Sequence, residues 1–369
     1  MRGCGPILVV LALLLMGCGE DANVEEPWVW NLPQGFPVPV VPADNPMTVA
    51  KVELGRQLFF DPILSLSRNQ SCGSCHEPAR AFTDGRALSE GSTGELTRRN
   101  SMSLANVAYN ATLNWADPNM TRLEEQARGP LFGTEPVELG MGGREVELLD
   151  RLRDDPEYAE AFPLAFPNGE AFTVERLLAA LASYQRSLIS GGSPYDRFIA
   201  GDSELSEAAR RGLELFFGER FECFHCHGGF NFTQSNRHEG APDGEAPFHN
   251  TGLYNVDGRG AYPERDQGLI EVTGQPEDMG RFRAPTLRNV MVTAPYMHDG
   301  SVATIDEALD HYARGGRRIS EGPNQGDGRL SIVKSDFVSG FQMTPEERED
   351  LKAFLRSLTD DSFLSVTAP

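Results

Sequence analysis

The sequence predicts a mainly α-helical protein built from two tandem units with long loops. Two observations carry this prediction. A Cys-x-x-Cys-His motif occurs twice, at residues 72–76 and 223–227, and the segments around the two copies match in the same order along the chain. The chain of 369 residues is long for one domain and suits two domains of ordinary size, each able to bury its own hydrophobic core.

Each motif carries the residues needed for covalent attachment of a c-type haem. The two thiols form thioether bonds to the porphyrin, and the adjacent imidazole becomes the proximal iron ligand. A dithiol redox site or half of a zinc site would not explain why a His follows the second Cys in both copies. We therefore expect two covalently bound haem c groups. Their attachment residues are Cys72, Cys75 and His76 for the first, and Cys223, Cys226 and His227 for the second.

The internal repeat extends beyond the motifs and indicates a duplicated domain. In both copies a predicted helix leads into the motif, and a further predicted helix ends in Arg-Ser-Leu. We therefore predict two cytochrome-c-like haem domains, at residues 47–192 and 193–369, with extra loops in the second at about residues 232–280. The matching segments are 55–60 with 212–217, 103–107 with 286–290, 126–129 with 312–315, and 173–188 with 344–358.

The N-terminal region is typical of an export signal followed by a tether. Arg2 precedes an apolar run at residues 7–16, which is too short to span a bilayer. Leu15-Met16-Gly17-Cys18 resembles a bacterial lipobox, so we predict a lipoprotein signal peptide at residues 1–17 and lipidation of Cys18. Plain cleavage and an uncleaved anchor are the alternatives. Residues 18–46, rich in Pro, Asn and acidic residues, are the predicted tether.

These features predict a periplasmic protein attached to the membrane only through a lipid anchor. The formal charge of −21 argues against binding to nucleic acid or to an anionic membrane surface, because both would repel the protein. A neutral or basic partner protein, or a small neutral substrate, is compatible with this charge. Outside the haem motifs the chain has only Cys4 and Cys18, so no disulfide framework is expected in the mature protein.

The repeat aligns different residues at the distal positions of the two predicted haems, Gln126 in the first and Tyr312 in the second. An amide is a poor iron ligand, so the first haem is expected to be open to a small oxidant. A phenol that has lost its proton can ligate ferric iron, so the second haem is expected to be six-coordinate and biased toward high oxidation states. The alternative ligands of the second haem are Met279, Met291, Met297 and Met343.

Three further residues are candidates for roles near the haems. Glu138 closely follows Gln126 and is the best candidate for a general acid/base in peroxide cleavage, with an exposed loop carboxylate as the alternative. Trp115 lies between the motifs in the repeat and could relay electrons between the haems. The alternative is an ordinary buried aromatic side chain, which is the more common role of a Trp. His298 is the counterpart of Trp115 in the second half and is expected to pack near the second haem.

From about Trp28 to the C-terminus, the chain resembles the bacterial di-haem cytochrome c peroxidase and MauG superfamily. It is particularly similar to MbnH-like di-haem enzymes of that superfamily in residues 37–46, 248–254 and 284–290. The resemblance implies that Trp115 is the residue between the haems, that Gln126 and Glu138 belong to the peroxidatic pocket, and that Tyr312 ligates the second haem.

The resemblance also implies two features that the residues alone do not establish. In classical peroxidases, a His that is loosened on activation occupies the position of Ser92, so this chain resembles MauG, whose peroxidatic haem is permanently open. A structural Ca²⁺ is implied between the haems, held by the Asn100 side chain and by the carbonyls of Thr293 and Pro295. Without the resemblance, Asn100 would be interpreted as a turn or cap residue.

These observations predict a di-haem oxidase that uses hydrogen peroxide to oxidise a partner protein at long range. By resemblance, the partner is a small periplasmic copper-binding protein, such as an MbnP-like protein, and the change is oxidation of tryptophan to kynurenine. One alternative is a cytochrome c peroxidase that reduces hydrogen peroxide with electrons from a small redox protein. The other is a non-catalytic electron-transfer cytochrome, in which both haems would be six-coordinate and low-spin.

Overall fold

The computed structural model describes residue 1, residues 26–241, residue 243 and residues 246–367. The predicted lipidation site Cys18 and almost all of the predicted signal peptide lie outside the described residues. Helices dominate the described chain, and its strands form two sheets of two strands each, which confirms the predicted mainly helical class. No helix within residues 26–241 or 246–367 is long and apolar enough to cross a membrane.

The helices and strands follow one another along the described chain with long connecting segments. The helices are α1 Val49–Phe60, α2 Cys72–Cys75, α3 Leu123–Gln126, α4 Arg128–Phe132, α5 Glu145–Asp154, α6 Pro156–Ala165, α7 Val174–Ser187, α8 Pro194–Ala200, α9 Glu207–Phe216, α10 Phe224–His227, α11 Ile270–Thr273, α12 Ile305–Ala313, α13 Pro345–Ser357 and α14 Asp361–Leu364. The antiparallel strand pairs are β1 Phe248–His249 with β2 Phe282–Arg283, and β3 Arg318–Ile319 with β4 Gly326–Asp327.

The main predicted helices begin where their capping residues indicate. The hydroxyl oxygens of Thr48, Thr173 and Thr344 each accept a hydrogen bond from the backbone N–H three residues later, at the starts of α1, α7 and α13. This bond satisfies one of the free N–H groups of the first helical turn. Helix α1 ends before Asp61, whose extended backbone is the conformation favoured before Pro62.

Two helix pairs, one in each half of the chain, form the centre of the fold. Helix α1 packs against α7, and α9 packs against α13. Each pair crosses at a glycine of the sequence repeat. A Cβ added to Gly55 would lie 2.0 Å from the carbonyl oxygen of Ala180, and one added to Gly212 would lie 2.0 Å from the carbonyl oxygen of Asp350. Close helix crossing therefore explains why both copies of the repeat carry glycine here.

Gly212→Ala is expected to lower the melting temperature of the protein, because the new methyl group would push α9 away from α13. Overpacking of this kind costs about 1–3 kcal/mol. Gly129→Ala is the matched control, because an added Cβ at this helical glycine has no atom within 4 Å. Thermal unfolding followed by circular dichroism measures both variants. Equal melting temperatures for the two variants would contradict the proposed helix crossing.

The C-terminal residues tie the two halves of the chain together. The carboxylate of Asp360 accepts hydrogen bonds from the backbone N–H groups of Gly191 and Gly192, at 2.9 and 2.8 Å. Helix α14 then brings Phe363 to the apolar cluster around α1 and α7, where its ring centroid lies 5.4 Å from that of Phe82. The second half thus completes the core of the first, and the domain boundaries at residues 47–192 and 193–369 stay a prediction.

The described part of the predicted tether, residues 26–46, lies against the body of the protein. Trp28 and Trp30 pack on the first apolar cluster. Phe36 contacts rings from both halves of the chain, with its centroid 6.2 Å from that of Tyr109 and 5.0 Å from that of Phe230. This segment therefore contributes to packing.

Candidate haem sites and the residues between them

The first motif lies on the wall of a cavity of about 320 Å³. The attachment residues reach it from α2, next to α1, and the distal candidate Gln126 reaches it from the end of α3. Glu138 reaches it from the loop between α4 and α5. The structure therefore brings the first haem motif together with both residues that the sequence assigned to the peroxidatic pocket. The predicted site residues on this wall are Cys72, Cys75, His76, Asn100, Trp115, Gln126 and Glu138.

The second motif lies on the wall of another cavity, of about 220 Å³. Tyr312 reaches it from the last turn of α12. Of the four methionines considered as alternative ligands, Met297 lines this cavity. The predicted site residues on its wall are Asn100, Trp115, Cys223, Cys226, His227, Thr293, Pro295, His298 and Tyr312.

Both motif histidines are oriented by a carbonyl group of the chain. Nδ1 of His76 lies 2.7 Å from the carbonyl oxygen of Phe82, and Nδ1 of His227 lies 3.1 Å from that of Pro285. If Nδ1 carries the proton in each ring, Nε2 keeps the lone pair that an iron ion needs. Burial lowers the pKa of His76, and it lowers the pKa of His227 to about 4. Both rings are therefore held in the neutral, ligating form.

The four motif thiols lie in surroundings that disfavour thiolate chemistry. Burial raises the pKa of Cys72 and Cys223 to about 12, and that of Cys75 and Cys226 to about 11. A redox-active dithiol has a lowered pKa, which is the opposite shift. Together with the oriented imidazoles, these protonated thiols fit covalent attachment of one haem in each cavity.

Burial of Tyr312 in the wall of the second cavity raises the pKa of its phenol. In the absence of a cation its phenol is therefore protonated at neutral pH. A bound ferric iron would supply the positive charge that stabilises the phenolate. The second cavity thus has a neutral imidazole and a phenol as its candidate axial ligands.

Trp115 lies between the two cavities and lines both of them. Its indole Nε1–H donates a hydrogen bond to the carbonyl oxygen of Asn100 at 2.9 Å. Its own carbonyl oxygen accepts a hydrogen bond from the backbone N–H of Arg283 at 2.8 Å. Ser101 and Met102 also line both cavities. The indole is therefore fixed in the wall that separates the two sites.

The three residues predicted to hold calcium, Asn100, Thr293 and Pro295, all line the second cavity. The side-chain amide of Asn100 donates a hydrogen bond to the carbonyl oxygen of Arg86 at 2.8 Å. Its Oδ1 is then the side-chain atom that could ligate a cation. The calcium itself stays a prediction.

Ser92 supports the segment that carries Glu138. Its backbone N–H donates to the carbonyl oxygen of Glu138 at 2.6 Å, and its hydroxyl donates to that of Leu139 at 3.1 Å. Burial raises the pKa of Glu138, which moves this carboxyl toward the range useful for acid/base chemistry at neutral pH. Ser92 is thus a buried support for the loop.

His298 packs beside the second cavity through its ring. Its centroid lies 3.7 Å from that of Phe282, with nearly parallel ring planes. Burial lowers its pKa, so the ring is neutral. Its carbonyl oxygen accepts a hydrogen bond from the backbone N–H of Asn100 at 2.8 Å. His298 therefore helps to hold the wall between the cavities.

Sequence reasoning gave no role to three polar residues that line the cavities. Gln185 lines the first cavity, and His249 and Arg283 line the second. His249 lies within residues 248–254, and Arg283 directly precedes residues 284–290, which are two of the segments that carry the family resemblance. This proximity is the signal that could have indicated them. Their position depends on contacts between distant parts of the chain.

Comparison with known proteins identifies the family of this chain. Residues 49–204 match the family of di-haem cytochrome c peroxidases. The chain is 37% identical to cytochrome-c peroxidase IdrP1 of Denitromonas iodatirespirans, over 95% of this chain and 92% of that protein. It is 35% identical to methylamine utilization protein MauG of Methylorubrum extorquens, over 100% of this chain and 99% of that protein.

A solved structure supports the same assignment. The crystal structure of a MauG-like protein associated with microbial copper homeostasis superposes with a TM-score of 0.90 and 47% sequence identity. The match covers 92% of this chain and 98% of that one. With two motif cavities and matches of this length, the chain belongs to the family of di-haem cytochrome c peroxidases and MauG proteins, which are di-haem oxidoreductases.

Proposed function

We propose that this protein is a peroxide-dependent di-haem oxidase that oxidises a partner protein at a distance from its open cavity. The observation that carries the proposal is the difference between the two cavities. The first presents Gln126 and Glu138, and the second presents Tyr312, with Trp115 lining both. When bound, the haem groups supply one-electron redox chemistry, and the chain supplies proton transfer, exclusion of ligands and the path between the sites.

In the first cavity, Glu138 and Gln126 are assigned complementary roles. The Glu138 carboxylate accepts a proton from hydrogen peroxide and returns it to the leaving oxygen atom. The Gln126 amide donates a hydrogen bond and leaves the distal position free for peroxide, because an amide is a poor iron ligand. Burial of Glu138 supports this assignment, since it raises the pKa of the carboxyl.

In the second cavity, Tyr312 is assigned as the ligand that closes the site. Its phenolate would exclude peroxide and favour the oxidised state of this centre, because an anionic ligand stabilises additional positive charge. A haem held in this cavity would store an oxidising equivalent away from the first cavity, so the partner would not need to enter the first cavity. Ca²⁺ held by Asn100, Thr293 and Pro295 is part of the same proposal.

The proposed partner is a small periplasmic copper-binding protein, such as an MbnP-like protein, and the proposed product is kynurenine at one of its tryptophans. The similar MauG-like protein is associated with microbial copper homeostasis, which supports this class of partner. The proposal places the enzyme in the periplasm, anchored through Cys18.

Mass spectrometry of a copper-binding protein encoded beside this one tests the proposal. After incubation with the haem-loaded enzyme and hydrogen peroxide, we expect a mass change confined to one tryptophan-containing peptide. Omitting the enzyme is the control for direct oxidation by peroxide. An unmodified partner, or the same modification without the enzyme, would contradict the proposal.

A cytochrome c peroxidase is the second candidate function. Relatives with that name are 37% identical, in Denitromonas iodatirespirans, and 31% identical, in Pseudomonas aeruginosa. By resemblance, classical peroxidases have a His at the position of Ser92 and a Met ligand at the position of Tyr312. Both differences argue against this function.

Trp115→Phe is expected to lower the rate of partner oxidation by at least about tenfold, which corresponds to 1.36 kcal/mol in the barrier. Phenylalanine keeps the ring but lacks the Nε1–H that bonds to Asn100, and it is harder to oxidise. The reaction of peroxide with the resting enzyme should keep its rate in stopped-flow absorbance. Trp30→Phe, in the segment before α1, is the matched control. Unchanged partner oxidation in Trp115→Phe would remove Trp115 from the path.

A further inference from the structure

Arg283 is a buried cation on the wall of the second cavity. It lies in β2 and is only 3% exposed. The role proposed for the cavity gives it no function, and the sequence repeat did not single it out. A buried guanidinium is costly unless an anion pairs with it.

The other buried arginines among the described residues have such an anion. Nη1 of Arg288 lies 2.9 Å from Oδ2 of Asp196, and Nη2 of Arg186 lies 2.6 Å from Oε1 of Glu124. Arg283 has no carboxylate partner within the described chain. It differs from both because it lines the cavity that carries the second motif.

The contacts of Arg283 are weak and leave part of its guanidinium unsatisfied. Nε donates to the carbonyl oxygen of Asn114 at 3.4 Å, and Nη2 lies 3.3 Å from Sδ of Met102. Nη1 has no hydrogen-bond partner among the described residues. Desolvation lowers the pKa of Arg283 to about 10, so the group remains charged at neutral pH. Arg283 is therefore a buried cation whose counter-anion does not come from the described residues of the chain.

We propose that Arg283 pairs with a carboxylate of the ligand in the second cavity, namely a propionate of the second haem, and is a positioning residue for that haem. Haem carries two propionates, and the planar fork of arginine matches a carboxylate with two parallel hydrogen bonds. The carboxylate-bearing side chain that lines this cavity, Glu222, lies instead near His225, with 3.9 Å between its Oε2 and the ring Nε2.

The pairing would connect the second haem to Trp115. The backbone N–H of Arg283 donates to the carbonyl oxygen of Trp115 at 2.8 Å. Arg283 would therefore contact both the main chain of Trp115 and the proposed propionate. The cation also has an electrostatic effect. A fixed positive charge near the iron disfavours the ferric state, so Arg283 raises the reduction potential and partly offsets the anionic Tyr312 ligand.

Spectroelectrochemical titration of the haem-loaded protein tests this inference without peroxide or partner, so its outcome is independent of the proposed function. We expect Arg283→Gln to lower the reduction potential of the second haem by at least about 59 mV, a tenfold change for a one-electron couple. The potential of the first haem should stay unchanged. Arg283→Lys keeps the cation and should retain most of the wild-type potential.

Arg281→Gln is the matched control, because Arg281 lies two residues earlier and pairs with Asp278 at 3.1 Å. It should shift the second haem by much less than Arg283→Gln. An unchanged second-haem potential in Arg283→Gln, or a shift confined to the first haem, would overturn the inference. So would a shift that depends on added chloride or phosphate, because the anion would then come from the solvent.

The wild-type holoprotein provides a second test in case Arg283→Gln does not load haem. A propionate paired with Arg283 stays ionised, so at least one of the two propionates of the second haem should show no ionisation step between about pH 5 and 8. Ionisation of both propionates of the second haem within that range, followed by NMR of the haem, would overturn the pairing.

Discussion

Glu138→Gln is expected to slow the reaction of the enzyme with hydrogen peroxide by about 10²- to 10⁴-fold, the usual contribution of a positioned general acid/base. Glutamine has nearly the same size and can still line the first cavity, but it cannot accept and return a proton. The resting absorbance spectra of both haems should therefore match those of the wild-type protein. Stopped-flow absorbance after mixing with peroxide measures the rate.

The pH dependence of this reaction provides a further test of Glu138. Because burial raises the pKa of Glu138, the carboxyl keeps its proton to a higher pH than an ordinary glutamate does. The first step needs the ionised form, so the rate should rise as the pH increases through this raised pKa. Glu138→Gln should lack this rise.

Glu135→Gln is the matched control for charge, because Glu135 belongs to the same loop but is exposed. It should keep both the rate and the pH profile of the wild-type protein. A rate for Glu138→Gln within twofold of wild type, or an unchanged pH profile, would assign the proton transfer to another group or to water.

Tyr312→Phe is expected to abolish the low-spin signal of the second haem. The substitution removes the phenol oxygen while keeping the ring, so the second haem would lose its proposed ligand and become high-spin. The reduction potential of this haem should rise, because loss of an anionic ligand destabilises the ferric state. Electron paramagnetic resonance of the resting ferric protein measures the spin states.

Tyr296→Phe is the matched control, since Tyr296 lines the same cavity and its hydroxyl donates to the carbonyl oxygen of Val290 at 3.0 Å. This variant should keep the low-spin signal. If Tyr312→Phe also keeps it, Met297 becomes the ligand to examine, because it lines the same cavity.

Local sequence rules predicted the features of the fold that depend on short segments. The matching segments at residues 173–188 and 344–358 are helices α7 and α13, which begin directly after their capping residues Thr173 and Thr344. The paired glycines Gly55 and Gly212 were visible as a repeat, although the reason for them, close helix crossing, required the structure. Within the candidate site, alignment of the repeat assigned Gln126 to the first motif and Tyr312 to the second, and each residue lines the cavity of that motif.

Features that depend on distant contacts could not be predicted from the sequence. No local pattern indicates that Phe363, near the C-terminus, packs beside Phe82 in the first half. The burial of Arg283 without a carboxylate depends on Asn114 and Met102, which lie far away in the sequence. Such placements follow from the packing of the whole chain, where tertiary contacts outweigh local preference.

The steady-state reaction of hydrogen peroxide with a reduced small cytochrome c tests the central proposal most directly. If the first cavity is open and Tyr312 closes the second, as proposed, the resting enzyme should react quickly with peroxide but oxidise the cytochrome slowly. Slow turnover, together with rapid loss of the resting spectrum, is the result that an oxidase of a partner protein predicts. Fast, sustained oxidation of the cytochrome would contradict it and identify a cytochrome c peroxidase.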